Sequence, residues 1–181
     1  ITLFNTFHYT VYVPTNASIQ ALHNEGKLPT WDEVEEEQDE DEKERMTEQI
    51  EKFLKYHIIK TASSVNKCSG KDNSLYIGQG NIEEADYETS AYEINGADNT
   101  ISYCRLTVKG DGSHLSVTDA AGNKRNVLTN GGLYNLMARE YQYNTKDVAS
   151  ASEIYTSSYA VVHQIDGPLI WEKETEEGSM E

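Results

Sequence analysis

The residues of this chain best suited to chemistry are His163 and Asp166, with Ser157 and Ser158 shortly before them and His57 as a second candidate base. A hydroxyl, an imidazole and a carboxylate are the ingredients of hydrolysis, in which the imidazole takes the hydroxyl proton and the carboxylate orients it. The spacing works against such a site. Residues three apart on a strand point to opposite faces, so a direct pair of His163 and Asp166 needs the bend that Gly167 offers. There is no Gly-x-Ser-x-Gly elbow, no His-Glu-x-x-His, no phosphate loop and no dinucleotide fingerprint. The expectation is a non-enzyme without cofactor or metal, with hydrolysis through His163 or His57 as the distant alternative.

Other chemistries are tested by charge and by the sulfur and aromatic residues. The chain has 31 acidic and 15 basic residues among 181, a net of −16, which repels nucleic acid and anionic membrane surfaces. Between Asp32 and Glu51 stand twelve acids and two bases, Lys43 and Arg45, so most of that charge is local. The run Glu35 to Glu42 cannot enter a core, because an isolated carboxylate is costly to bury, and it reads as a solvated loop or helix face. Clustered carboxylates suit calcium, but the alternating oxygen ligands and glycine of a calcium loop are missing. Cys68 and Cys104 are too few for a disulfide framework; one bridge in an exported protein and two free thiols both remain open. Twelve tyrosines offer aromatic platforms for a glycan, although tyrosine also suits half-buried strands.

The elements that must position these residues follow from periodicity. Phe7, Tyr9, Val11 and Val13 alternate with His8, Thr10 and Tyr12 over Thr6 to Thr15, which predicts a strand with one buried face, ended by Pro14. Thr15 and Asn16 supply capping oxygens for a short helix carrying Ile19 and Leu22, stopped by Asn24, Gly26 and Pro29. Met46, Ile50, Phe53, Leu54 and His57 form one apolar stripe of a helix from about Lys43 to His57, with Glu48–Lys52 and Glu51–Lys55 pairs on its polar side. Ile58 and Ile59 begin an extended segment. From Leu75 to Thr129 short β pieces alternate with turns, including Asn95-Gly96 and the turn around Gly110, as in a meander over Ile101–Val108, His114–Thr118 and Arg125–Leu128. Leu133 to Tyr141 is predicted as a short helix. Ser158 to Ile170 reads as a strand covered on both sides, with Tyr159, Val161, His163 and Ile165 on one face. No apolar run reaches the roughly 18 residues of a membrane span. The start at Ile1 has no signal-peptide layout, so a soluble, trimmed chain is expected.

Three segments together resemble the fasciclin (FAS1) domain: Tyr9-Thr10-Val11-Tyr12-Val13-Pro14-Thr15-Asn16-Ala17, then Leu54-Lys55-Tyr56-His57-Ile58-Ile59, then Val161 to Ile170 with His163, Ile165 and Asp166. The resemblance implies an α+β fold, a β-sandwich wedge with several short helices. It implies one domain over residues 1–171, with its N-terminal lead-in missing or outside the chain, and an acidic tail or linker over 172–181. It also implies cell adhesion at a cell surface or in a matrix through a protein partner, often with tandem domains, and a lipoprotein of the cell envelope if the source is bacterial. In animal members the Tyr-His region has been linked to integrin recognition, which would fall on Tyr56 and His57. By spacing, His57 and His163 read instead as packed histidines satisfied by backbone. Gln164 and Gly167 depart from the apolar and basic residues common in the family. Asn16-Ala17-Ser18 is a glycosylation sequon at a strand–helix junction.

Overall fold

The computed structural model describes residues 8–61, 75, 77–78, 80–136 and 160–171. In chain order these form β1 (His8–Pro14), α1 (Asn16–Asn24), α2 (Trp31–Glu36), α3 (Glu40–Tyr56), β2 (Ile58–Thr61), β3 (Asn81–Ile94), β4 (Ile101–Asp111), β5 (Leu115–Thr118), β6 (Lys124–Asn126) and β7 (Ala160–Ile165). The α+β class is as expected. The strands make one mixed sheet of seven in the order β6-β5-β4-β3-β2-β1-β7, antiparallel throughout except for β1 with β7. A bridge from Val127 to Ile165, with Leu128 N–H donating to Gln164 O at 2.8 Å, joins the two ends, so the sheet is nearly barrel-shaped. Among the described residues the opposite joint is also slender, since β2 meets β3 only at Ile59–Thr89.

β1 buries the face that its alternation assigns to solvent. Thr10 and Tyr12 are fully buried, while Val13 is 43% exposed. Thr10 tolerates this position because its Oγ1 accepts the Leu75 N–H at 3.0 Å, and Tyr12 contributes a large ring to the interior. Tyr9, on the other face, is buried as expected.

The acidic run is two helices with a break, and an acid takes part in capping the start of each. Thr30 and Glu33 form a reciprocal capping box at the start of α2. Asp39 caps α3 by accepting from the N–H groups of Asp41 and Glu42, and Glu40, Asp41 and Glu42 fill its first turn, where the helix dipole favours negative charge. The long helix therefore begins three residues before the predicted start at Lys43. Its buried residues are Ile50, Phe53 and Tyr56; Leu54 is 53% exposed, a correction to the predicted stripe. Leu54 lies about 100° around the helix from Phe53, and the core takes Tyr56, about 60° to the other side. Glu51 pairs with Lys55 at 2.6 Å as expected, but Lys52 reaches across to Glu93 of β3 at 3.0 Å rather than back to Glu48.

The β region holds longer strands than its turn residues suggested. β3 and β4 form one hairpin, and β-bulges between Ile82 and Ala85 and between Glu88 and Tyr92 let fourteen residues face eleven. Gly110 is inside β4, not in a turn; a Cβ there would lie 3.0 Å from His114 O. The turn follows at Gly112, whose φ of +88° suits glycine. The helix predicted from Leu133 is absent over Leu133–Leu136, where Leu133 O and Leu136 instead bond the backbone of β7. Met137 to Tyr141, Ser157, Ser158 and Tyr159 lie outside the described residues.

Phe53→Ala should destabilise the chain by about 3–5 kcal/mol, whereas Leu54→Ala should cost less than about 1 kcal/mol. Urea unfolding of both variants decides this, and equal losses would contradict the assigned helix face.

Candidate functional site

The Tyr-His pair ends α3, and both side chains turn inward. Tyr56 is fully buried; its hydroxyl donates to Arg105 O at 3.1 Å and accepts from Ala120 N–H at 3.0 Å. Burial raises its pKa, so it stays a neutral phenol. His57 is 4% exposed and closes the helix, with its N–H directed to Leu54 O and Lys55 O. Its Nδ1 lies 2.8 Å from Phe53 O and its Nε2 accepts from Leu169 N–H at 3.1 Å, which assigns the proton to Nδ1. Desolvation lowers its pKa from 6.5 to about 4.

His163 is buried within β7 and uses the opposite tautomer. Nε2 lies 2.7 Å from Leu75 O and Nδ1 accepts from Asn135 N–H at 3.3 Å, so the proton is on Nε2. Burial again lowers its pKa from 6.5 to about 4. Its ring stacks near Tyr12 at 6.0 Å between centroids. Asp166 is exposed past the end of β7, and its two oxygens accept from Asn126 N–H and Asn126 Nδ2, each at 3.0 Å. The structure thus does not join His163 to Asp166: the carboxylate fastens β6 to the chain beyond β7, and the imidazole serves the core. Both nitrogens of both histidines are committed to backbone groups, which leaves neither ring a nitrogen for a substrate proton.

The remaining signature residues are also structural in position. Thr15 caps α1, its Oγ1 accepting from Ser18 N–H at 3.3 Å, and Asn16 is the exposed first residue of that helix. Ile165 is fully buried. Cys104 is a half-buried free thiol whose pKa burial raises; Cys68 lies outside the described residues. Among the described residues no group of His, Cys, Asp and Glu is arranged to hold a metal ion, and no helix is long and apolar enough to cross a membrane.

Several residues that secure this region carried no role in the sequence. Asp119 accepts from Asn123 N–H at 2.8 Å and from Ile170 N–H at 2.8 Å, so it ties the β5–β6 turn to the segment after β7. Its visible signal was the turn pair Gly122-Asn123. Asn135, at a φ of +53°, exchanges two hydrogen bonds with the Ile77 backbone while its own N–H serves His163. Arg125 donates from Nε to Pro168 O at 2.9 Å, and its guanidinium occupies the space of a Cβ at Gly167, 2.8 Å away. A base therefore does lie against residue 167, supplied by β6, and the glycine makes room for it.

A nearly closed mixed sheet, with a long helix ending in a buried Tyr-His pair, defines a compact α+β module in which Tyr56, His57, His163 and Ile165 face inward. The family model of the fasciclin domain matches residues 2–139, well over half of the chain, and the chain belongs to that family. Fasciclin domains are typically adhesion modules at cell surfaces or outside cells and are generally non-enzymatic. No curated protein matches the chain.

The histidines set a pH dependence. Their folded pKa of about 4 lies below the ordinary 6.5, so between these values the unfolded chain binds more protons, and stability falls as pH drops through that window. Each contributes about 3 kcal/mol of loss once pH is below 4. Glu33, Glu42, Asp98 and Asp111, whose pKa values are lowered by hydrogen bonds, act below the usual carboxylate range. Urea unfolding between about pH 7 and about pH 4.5 should show the fall, and a flat profile would contradict the neutral, buried assignment. Tyr56→Phe strands the Ala120 N–H and the Arg105 carbonyl and should cost about 1–3 kcal/mol by the same measurement; no loss would mean that water replaces the hydroxyl.

Proposed function

We propose that this fasciclin domain is a non-enzymatic adhesion module that binds a protein partner at a cell surface or in an extracellular matrix. The observation that carries this reading is that Tyr56, His57, His163 and Asp166 spend their hydrogen bonds within the domain, which leaves recognition to other, exposed surfaces. On this reading the signature residues hold the body in shape and the partner meets other residues, so the Tyr-His pair acts on binding only indirectly. The domain extends over residues 1–171, because β7 and the Leu169 contact to His57 complete the same interior, and 172–181 is an acidic tail or linker. The wedge of two facing layers implied by the family is supported by the single Ile59–Thr89 joint between the halves of the sheet. Tandem domains, and envelope anchoring by lipid in a bacterial source, are part of the same proposal. Nucleic acid is disfavoured as partner by the net charge of −16.

A glycan-binding surface module is the second reading. It rests on Tyr92 and Tyr103, which are exposed and in edge-to-face contact at 6.1 Å. Cell attachment to a surface coated with the full chain, run beside a glycan array, separates the two. Attachment with a blank array is the expected result; array binding lost on Tyr92→Ala or Tyr103→Ala would favour the glycan. Turnover of a defined substrate that disappears with His57→Asn or His163→Asn would sink both.

A further inference from the structure

The outer face of the β3–β4 hairpin changes character along its length. At its base, polar side chains are paired across the strands: Glu84 with Lys109 at 3.3 Å, Asp86 accepting from the Thr107 hydroxyl at 2.6 Å, and Glu88 with Arg105 at 3.4 Å. Beyond the bulge the same face continues as Tyr92 opposite Tyr103 and Ile94 opposite Ile101. These four side chains are 43%, 42%, 59% and 57% exposed in that order. The inner face of the tip is already occupied, with Ala91 buried and Glu93 bonded to Lys52 of α3.

The tip also stands clear of its neighbours in the sheet. Among the described residues β2 meets β3 only at Thr89, and β5 meets β4 only from Thr107 onward, so between residues 90 and 106 the sheet is two strands wide. Contiguous exposed aromatic and branched side chains on the outer face of that ribbon are costly in water unless something covers them. Tyrosine with branched aliphatics is the composition of an interface centre.

Charge selects the occupant. The acids on the ribbon are Glu93 and Asp98, with Glu88 at its base, and the two bases within reach, Lys52 and Arg105, are paired with Glu93 and Glu88. Over β3, β4 and the turn between them, residues 81–111 carry seven acids and two bases, so a second copy docking by the same hairpin would bring like charge to like. The tip therefore suits a partner of opposite sign.

We propose that Tyr92, Ile94, Ile101 and Tyr103 form a docking surface for a protein partner that presents apolar side chains flanked by lysine or arginine. This rests on the reading of the domain as a protein-binding adhesion module and names the surface and the chemistry of its partner.

The test uses the full chain and three immobilised synthetic peptides, of alternating lysine and valine, lysine and serine, and glutamate and valine. The lysine–valine peptide should bind at least about tenfold more tightly than either of the others. Ile94→Thr combined with Ile101→Thr keeps β-branched residues in the strands and should reduce that binding to the lysine–serine level. Tyr92→Thr with Tyr103→Thr serves as a second variant with the same expectation, and Leu54→Ser, an exposed apolar position on α3, should leave binding unchanged. Circular dichroism and urea midpoints matched to the parent chain show that the variants fold. Equal binding of the lysine–serine peptide, unchanged binding by both hairpin variants, or binding confined to neutral oligosaccharides would each overturn the proposal. Cell attachment separates this from the adhesion reading: attachment that survives both hairpin variants sinks the surface alone. A parent chain that attaches no cells sinks the adhesion reading, and the peptide series still decides the surface.

Discussion

Inside a nearly closed sheet, a backbone group that has no strand partner must find a side chain, because water is excluded and an unmet N–H or C=O costs about 1–3 kcal/mol. Two histidines meet that constraint here. A neutral imidazole is one donor and one acceptor, and each ring uses both: His57 spans Phe53 O and Leu169 N–H, and His163 spans Leu75 O and Asn135 N–H. Burial lowers both pKa values by disfavouring the charged ring, and protonation would in addition turn the acceptor nitrogen into a donor facing an N–H. The two rings carry opposite tautomers because the segments they join present their donors and acceptors in opposite arrangements.

The rest of the body depends on these ties. His57 ends α3, and its carbonyl accepts from Tyr12 N–H at 2.9 Å, so the helix end, β1 and the segment after β7 meet at one residue. One residue earlier, Tyr56 applies the same logic with a phenol, joining Arg105 of β4 to Ala120 after β5. The exposed Asp166 and the buried Asp119 repeat it with carboxylates that accept backbone N–H groups. Residues far apart in sequence are thereby fixed, at an ordering cost that local strand pairing alone would not offset. The outcome is a rigid frame that holds the β3–β4 hairpin and the acidic helices on its outside.

The parts legible in the sequence were those with a local cause. The strand–helix junction at Pro14-Thr15, the cap at Thr15, the Glu51–Lys55 pair and the alternation of Val161, His163 and Ile165 all depend on neighbours within a few residues, and the fasciclin segments supplied the class of fold. What was not legible came from tertiary partners. Thr10 is buried because of Leu75, and Lys52 leaves Glu48 because Glu93 is within reach. Leu54 is exposed because the sheet accepts the Tyr56 side of α3 and not the whole apolar arc. Leu133–Leu136 lost its helix to hydrogen bonds with β7, a competitor no local propensity records. Arg125 against Gly167 shows the same effect for chemistry: the sequence position looked like a loss of a base, while space returned one from another strand.

A signature that is buried has a consequence for how partners are chosen. Residues such as Tyr56, His57, His163 and Ile165 are constrained by the interior they complete, and any chain that shares them shares a body, whatever it binds. Selectivity must then reside where substitution leaves the frame intact, on exposed side chains that make no internal bond. Among the described residues two such surfaces are the acidic α2–α3 segment and the apolar hairpin tip. The first is self-contained: Glu33 and Asp39 cap their own helices and Arg45 pairs with Glu42, so its charge asks nothing of the core. The second is not self-contained, since apolar surface gains nothing by facing water. A charged segment can be retained for solubility alone, whereas an uncovered ribbon of two tyrosines and two isoleucines requires an occupant, and the acidic field around it makes a basic one the better fit.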